Sequence, residues 1–204
     1  MDIERINDYN DPRFPKEVLN QHGAFVADGK YPCSFRIIGE TTAEIDYHDY
    51  SDVAPLIESF RFYAEHVTVF CDKSGNVIAK FPEIKTFPLG IDLIQPSQFY
   101  VDKDKVNAVS DFIISGNDIV IPVIKRDGRY ISLDGHTRLY YAYTRGWDIV
   151  RAFEAEVNDY VLEFVEEAKK RGVSGVGNME LLSHNEYEIK WNKFCDDFFA
   201  AKQI

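Results

Sequence analysis

Leu133-Asp134-Gly135-His136-Thr137-Arg138-Leu139 joins an apolar segment, Tyr130-Ile131-Ser132-Leu133, to a stretch of helical spacing that runs from about His136 to Arg145. The change of period across an Asp-Gly pair predicts strand, tight turn, helix. Such a turn carries a definite chemistry. The first N–H groups of a helix have no partner within it and bear a partial positive charge. Gly135 lets the backbone approach an anion closely. The Thr137 hydroxyl can donate to a phosphate oxygen, and Arg138 can clamp phosphate in a bidentate way. Asp134 can hold a metal ion or orient a hydroxyl. The plainer reading is that Asp134 caps the helix and Gly135 makes the turn, because Asp-Gly is common in turns.

The flanking segments extend the pattern. Before the turn, Val120-Ile121-Pro122-Val123-Ile124 reads as a strand whose proline belongs at an edge or a bulge. Asp127-Gly128 reads as its hairpin turn. Further upstream lie a helix over 103–115 and a short strand, Ile91-Asp92-Leu93-Ile94, before Pro96. After the turn, Gly146 reads as a left-handed C-cap, followed by a strand from Trp147 to Glu154. Residues 82–90, with two prolines and a glycine, read as a link between subdomains.

Residues 1–85 predict an antiparallel N-terminal subdomain. One or two helical turns over 15–20 end at His22-Gly23. Ala24-Phe25-Val26 and Ser34 to Ile38 flank Asp28-Gly29, and Ala43 to Tyr47 alternates as a third strand. A helix over 53–65 follows Ser51 as N-cap. A hairpin then joins Val67–Cys71 to Val77–Phe81. Residues 157–204 predict two C-terminal helices. The first, capped by Asn158 or Asp159, turns Val161, Phe164, Val165 and Ala168 inward. The second follows a capping box at Ser183-His184-Asn185-Glu186 and carries Tyr187, Trp191, Phe194, Phe198 and Ala201 on a packed face. The fold class is therefore α+β.

The 204 residues are 45% hydrophobic and 28% charged, with net charge −11. That composition is globular, and the acidic balance argues against the basic footprint of nucleic-acid binders. Cys33, Cys71 and Cys195 are far apart and form no C-x-x-C, which points to reduced thiols in a cytoplasmic protein. The N-terminus shows no signal-peptide pattern. No apolar run approaches the ~20 residues that span a bilayer, so no membrane partner is expected.

Residues 86–156 resemble the ParB/sulfiredoxin-like superfamily. The resemblance rests on Ile91-Asp92-Leu93-Ile94-Gln95-Pro96, on Ile121-Pro122-Val123, and above all on Leu133 to Leu139. It implies a small α/β core that binds a nucleotide (ATP, ADP or CTP, with Mg²⁺) at the turn. Gly135, His136, Thr137 and Arg138 would then contact phosphates, Asp134 the metal, and Asp134, His136 and Arg138 would act in catalysis. The branches differ from this sequence in specific ways. Sulfiredoxins place a nucleophilic Cys where His136 stands. ParB proteins place a Gly-Glu-Arg-Arg segment here, of which Arg138 alone matches, and add a helix-turn-helix. Kinases of free serine come closest in composition, but they use a carboxylate just after the first strand's proline. Here that neighbourhood is Pro96-Ser97-Gln98, and an amide is no general base near neutral pH. Asp102, Asp104 or the more distant Glu65 are the acids left to serve.

Three functional classes stay open: a small-molecule phosphotransferase or nucleotide hydrolase, a non-catalytic nucleotide-sensing or partner-binding module, and a DNA-associated regulator. His66, His48 among Asp46-Tyr47-His48-Asp49-Tyr50, and the glycines of 172–177 read more simply as packing, a solvated loop and a flexible connection.

Overall fold

The computed structural model describes residues 1–47, 53–157 and 159–202. The expected Ser51 and Asn158 caps and His48 lie outside the described residues. The chain divides into two compact units, Met1–Lys85 and Thr86–Ile204. The architecture is mixed α+β with several sheets and two C-terminal helices.

The first unit contains β1 (Ile3–Arg5), α1 (Lys16–Asn20), β2 (Ala24–Ala27), β3 (Tyr31–Ile37), β4 (Thr42–Asp46), α2 (Ala54–Arg61), β5 (Val69–Cys71) and β6 (Val77–Lys80). Its six strands lie in sequence order in one sheet. The Asp28-Gly29 turn forms as expected, with both residues in the left-handed region. The sheet is not wholly antiparallel: β4 and β5 pair in parallel, with Thr42 opposite Val69. The cause is the α2 crossover between them, since parallel neighbours need a long connection and hairpins do not. Helix α2 is also shorter than 53–65, and Phe62 and Tyr63 beyond it are exposed. The core is aromatic: Phe35 stacks on Phe60 at 4.4 Å and meets Phe25 and Phe70 edge-on, geometries that the ring quadrupoles favour.

The second unit contains β7 (Phe87–Gly90), β8 (Ile94–Pro96), β9 (Tyr100–Asp102), α3 (Lys103–Ser110), β10 (Val120–Arg126), β11 (Arg129–Ser132), α4 (His136–Thr144), β12 (Ile149–Glu154), α5 (Asp159–Lys170), β13 (Glu180–Leu182), α6 (His184–Tyr187) and α7 (Lys193–Lys202). A π turn over Glu188–Asn192 joins α6 to α7. One sheet has the order β7-β12-β10-β11-β8, and β13 pairs separately with β9. The 82–90 link thus ends in a strand: β7 lies antiparallel to β12. As an edge strand it tolerates Pro88. The strand before Pro96 begins only at Ile94, after a 3₁₀ turn over Ile91–Leu93, and α3 ends at Ser110 rather than running to 115.

Pro122 departs from expectation, because β10 has β12 on one side and β11 on the other. Its place is explained by the neighbouring strand. The Leu133 N–H donates to the Pro122 carbonyl at 3.0 Å, but proline has no N–H to return the bond. The ladder therefore stops at that pair, and the chain leaves β11 into the turn at Asp134.

Helix α4 ends in a Schellman motif. Gly146 (φ +69°) donates to the Tyr143 carbonyl and Trp147 to that of Ala142, the pattern that fits a left-handed residue after the last helical turn. A Cβ on Gly146 would meet nothing within 4 Å, so Gly146→Ala is expected to cost only the left-handed penalty, about 1–2 kcal/mol, read as a shift of the urea midpoint. Gly172 closes α5 in the same way, with Val173 donating to Ala168. Val173 and Val176 are buried; Gly175 is the N-cap of the 3₁₀ turn over Val176–Asn178 that follows, and Gly177 lies within it. The capping box at Ser183 and Glu186 is present. Ala201 of the last helix is exposed, and Trp191, Phe194 and Phe198 are half-buried around Phe99 and Phe164.

Candidate functional site

The turn between β11 and α4 is built around Gly135, which adopts φ +78° and is the N-cap of α4. The first helical bond runs from Leu139 N to the Gly135 carbonyl at 2.9 Å, and Gly135 has no side chain with which to cap the helix. The first N–H groups of α4 thus receive nothing from the N-cap side chain, and a helix start of this kind is where an anion is accepted. The N-cap position falls on Gly135, one residue after Asp134; Asp134 is two-thirds exposed, with a carboxylate oxygen 3.7 Å from the Arg138 guanidinium.

The glycine has a packing reason of its own. A Cβ at Gly135 would stand 2.6 Å from Ile121 Cγ2 and 3.1 Å from an Arg138 terminal nitrogen. Arg138 folds back over the turn, with Nη1 donating to the Val120 carbonyl at 2.9 Å. Its half-buried side chain thus lies beside the start of the helix. Thr137 is half-buried at the second position of α4.

His136 is buried, and its ring faces inward. Nε2 lies 3.3 Å from the Ser97 N–H, 3.1 Å from the Ser97 hydroxyl and 3.1 Å from the Ser132 hydroxyl. The Ser97 hydroxyl spends its proton on the Ser132 carbonyl at 2.8 Å. A backbone N–H can only donate, so Nε2 is the acceptor and the ring proton sits on Nδ1. Burial pushes the pKa of His136 down to about 4, against the opposing influence of the Asp134 charge and the Ser132 carbonyl. His136 therefore pins the end of β8 and the end of β11 to the first turn of α4 as a neutral ring.

Gln98 is likewise engaged. Its Nε2 donates to the Tyr100 carbonyl at 2.6 Å and to the Tyr187 hydroxyl at 3.0 Å. Burial first, then the charges of Asp102 and Asp134 among others, push the Tyr187 hydroxyl above its ordinary pKa, against the Gln98 bond.

A second polar cluster lies on this segment. Strand β13 pairs in parallel with β9, Leu182 opposite Asp102. Two residues later His184 opens α6. Asp102 is buried and caps α3 by accepting from the Asp104 N–H at 2.8 Å. Its other oxygen lies 2.8 Å from His184 Nδ1. His184 is half exposed, and its Nε2 stands 3.5 Å from Glu188. The hydrogen bond to Asp102, with the charges of Asp102, Glu188 and Asp104, holds His184 above its ordinary pKa. Ligand atoms of Asp102, Asp104 and His184 fall within 4.8 Å of one another, but the cap and the Asp102–His184 bond already account for that closeness. Composition and spacing do not reveal this pair, because it is made by strand pairing across 82 residues.

Other candidates carry less. Glu65 is exposed in the first unit and His66 is buried there. Burial raises the thiol of Cys33 to about 12 and that of Cys195 to about 11, so neither is a ready nucleophile. A cavity of about 330 Å³ between α5 and α7 is lined by Leu162, Phe194 and Phe198 with Glu163, Glu166, Glu167 and Lys170; its acidic rim repels phosphate. No helix among the described residues is long and apolar enough to cross a membrane.

No protein-family model matches the chain. No curated protein matches it. Among solved structures, protein Atu1540 from Agrobacterium tumefaciens aligns at 17% identity and a TM-score of 0.36, over 48% of this chain and 63% of that one. The chain therefore spans less than two thirds of that protein.

Proposed function

We propose that the second unit binds a nucleotide through its phosphates at the Asp134–Arg138 turn, in the manner of a ParB/sulfiredoxin-like domain, and that its reaction class is small-molecule phosphotransfer or nucleotide hydrolysis. The observation that carries this reading is the glycine N-cap of α4 in the left-handed region with Arg138 already folded beside it. Backbone N–H groups and a guanidinium converge on one small volume, which is the chemistry a phosphate requires. The role of His136 in this reading is to fix the turn through its neutral, buried ring, and Thr137 and Arg138 supply the side-chain contacts. Asp134 is one exposed carboxylate facing an arginine. It fits Mg²⁺ only together with phosphate oxygens, as is usual for that ion. With Mg²⁺ bound there, the ion would neutralise charge on the transferred phosphoryl group.

A second reading, a nucleotide sensor without catalysis, is favoured by Gln98, which stands where a base is expected and is tied to Tyr100 and Tyr187. DNA association in the ParB manner lacks support in a chain of net charge −11.

Titration of the protein with ADP, ATP and CTP, with and without Mg²⁺, tests the binding site by thermal shift and calorimetry. Binding raises the melting temperature by linkage. Arg138→Ala is expected to weaken binding by roughly 10–100-fold, the value of one charge-assisted bond, and Arg138→Lys to recover only part of it, because the bidentate fork is lost. Equal affinity in all three proteins removes the turn as the site.

A further inference from the structure

We infer that Asp102 and His184 form a proton-transfer dyad serving the Asp134–Arg138 turn, with His184 as the base and Asp102 as its positioning residue. The inference rests on the nucleotide reading above and supplies the base that Gln98 cannot be.

Three observations carry it. The first is the arrangement itself. A buried carboxylate, fixed by its cap bond to Asp104, holds Nδ1 of a half-exposed imidazole at 2.8 Å. Asp102 is acceptor-only when ionised, so it holds the proton on Nδ1 and leaves Nε2, 3.5 Å from the Glu188 carboxylate, as the nitrogen that exchanges a proton. That is the geometry in which a carboxylate orients a histidine for proton transfer. The second is the connection to the turn. The Ser97-Gln98 segment reaches both ways: Ser97 bonds to His136 of the turn, and Gln98 bonds to Tyr187, three residues beyond His184. Helix α4, which starts at the turn, packs on β9, which ends at Asp102. The third is electrostatic: the charges of both Asp102 and Asp134 act on the Tyr187 hydroxyl.

The reaction balances as follows. A water or small-molecule hydroxyl gives its proton to His184 Nε2 as its oxygen forms a bond to the terminal phosphorus of a nucleoside triphosphate. The bridging P–O bond breaks and its electrons leave with the nucleoside diphosphate. The imidazolium then returns the proton to solvent, while Asp102 stays ionised throughout. The groups facing His184 are Asp102 from β9, Asp104 from α3 and Glu188 from the π turn. All three favour the charged ring, so the base becomes competent only as pH rises past a value above the ordinary one for histidine.

The test uses the full chain with Mg²⁺ and ATP or CTP, with water and a panel of hydroxyl amino acids as acceptors. ADP binding is measured in parallel. His184→Gln is expected to lower turnover about 10²-fold or more while ADP affinity stays within twofold. Asp102→Asn keeps a competent N-cap and removes the charge. It is expected to move the acid limb of the pH–rate profile to lower pH, a change that a purely structural role of Asp102 would not produce. Turnover of His184→Gln within threefold of the native chain overturns the dyad. ADP binding without turnover by the native protein overturns it too, and leaves the sensor reading standing. No binding of any nucleotide removes both the dyad and the site on which it rests.

Discussion

As pH falls from about 6.5 to 4, the second unit is expected to lose about 3 kcal/mol of stability through the single ring of His136. Above pH 6.5 the ring is neutral folded and unfolded, and it contributes no pH dependence. Between 6.5 and about 4 the unfolded chain binds a proton that the folded chain refuses, because the ring is buried and its Nε2 already accepts from Ser97. Stability therefore falls by about 1.4 kcal/mol per pH unit over that window. Below pH 4 the folded ring protonates as well and the loss stops growing. Two measurements check this. In an NMR titration the His136 ring should stay in the Nδ1–H tautomer to below pH 5, while His184, with its raised pKa, titrates above the ordinary value. In urea unfolding at pH 7.5 and 4.5, a His136→Gln chain should show a shallower acid decline than the native chain, even where it is less stable at both. A His136 midpoint near 6.5 would show that the ring is open to solvent.

The same histidine marks how far the sequence is legible. Strand, turn and helix from Tyr130 to Arg145 were readable, since the period changes at an Asp-Gly pair and Gly146 closes the helix. The two left-handed hairpin turns at Asp28-Gly29 and Asp127-Gly128 were readable for the same local reason. The direction of a side chain at the first position of a helix is not local. His136 turns toward Ser97, 39 residues earlier, and no spacing rule reports that pairing. The crossover that makes β4 and β5 parallel, the edge strand at Phe87–Gly90 and the central position of Pro122 escaped for a related reason. Each depends on which strand lies beside which. Asp102 and His184 are the extreme case, joined only because β9 and β13 pair. The turn was legible; the groups that surround it were not.

Gly135→Ala is expected to destabilise the second unit by about 2–5 kcal/mol with no ligand present, and the size of the loss separates two reasons for a glycine at this turn. Were close approach to an anion the only reason, the apo protein would lose no more than the left-handed penalty of about 1–2 kcal/mol, as at Gly146, whose Cβ would be free. At Gly135 the same penalty applies at φ +78°, and the new methyl also stands 2.6 Å from Ile121 Cγ2. Ile121 is fully buried in the central strand beside Leu139 and Ala142, so it cannot retreat cheaply, and overpacking of that kind adds about 1–3 kcal/mol. A double-mutant cycle isolates the steric part. Ile121→Ala removes Cγ2 and is costly alone, by about 2–5 kcal/mol. Combined with Gly135→Ala it should cost less than the sum of the two by roughly 1–3 kcal/mol, because the clash disappears. Ile121→Val keeps a methyl at the Cγ2 position and should give no such relief. Strict additivity of Gly135→Ala with Ile121→Ala would show that Ile121 does not hold the turn. Relief by Ala and none by Val would mean that the β11–α4 turn is built by the core beneath it, so the donors of α4 and the Arg138 guanidinium are in place before any anion arrives.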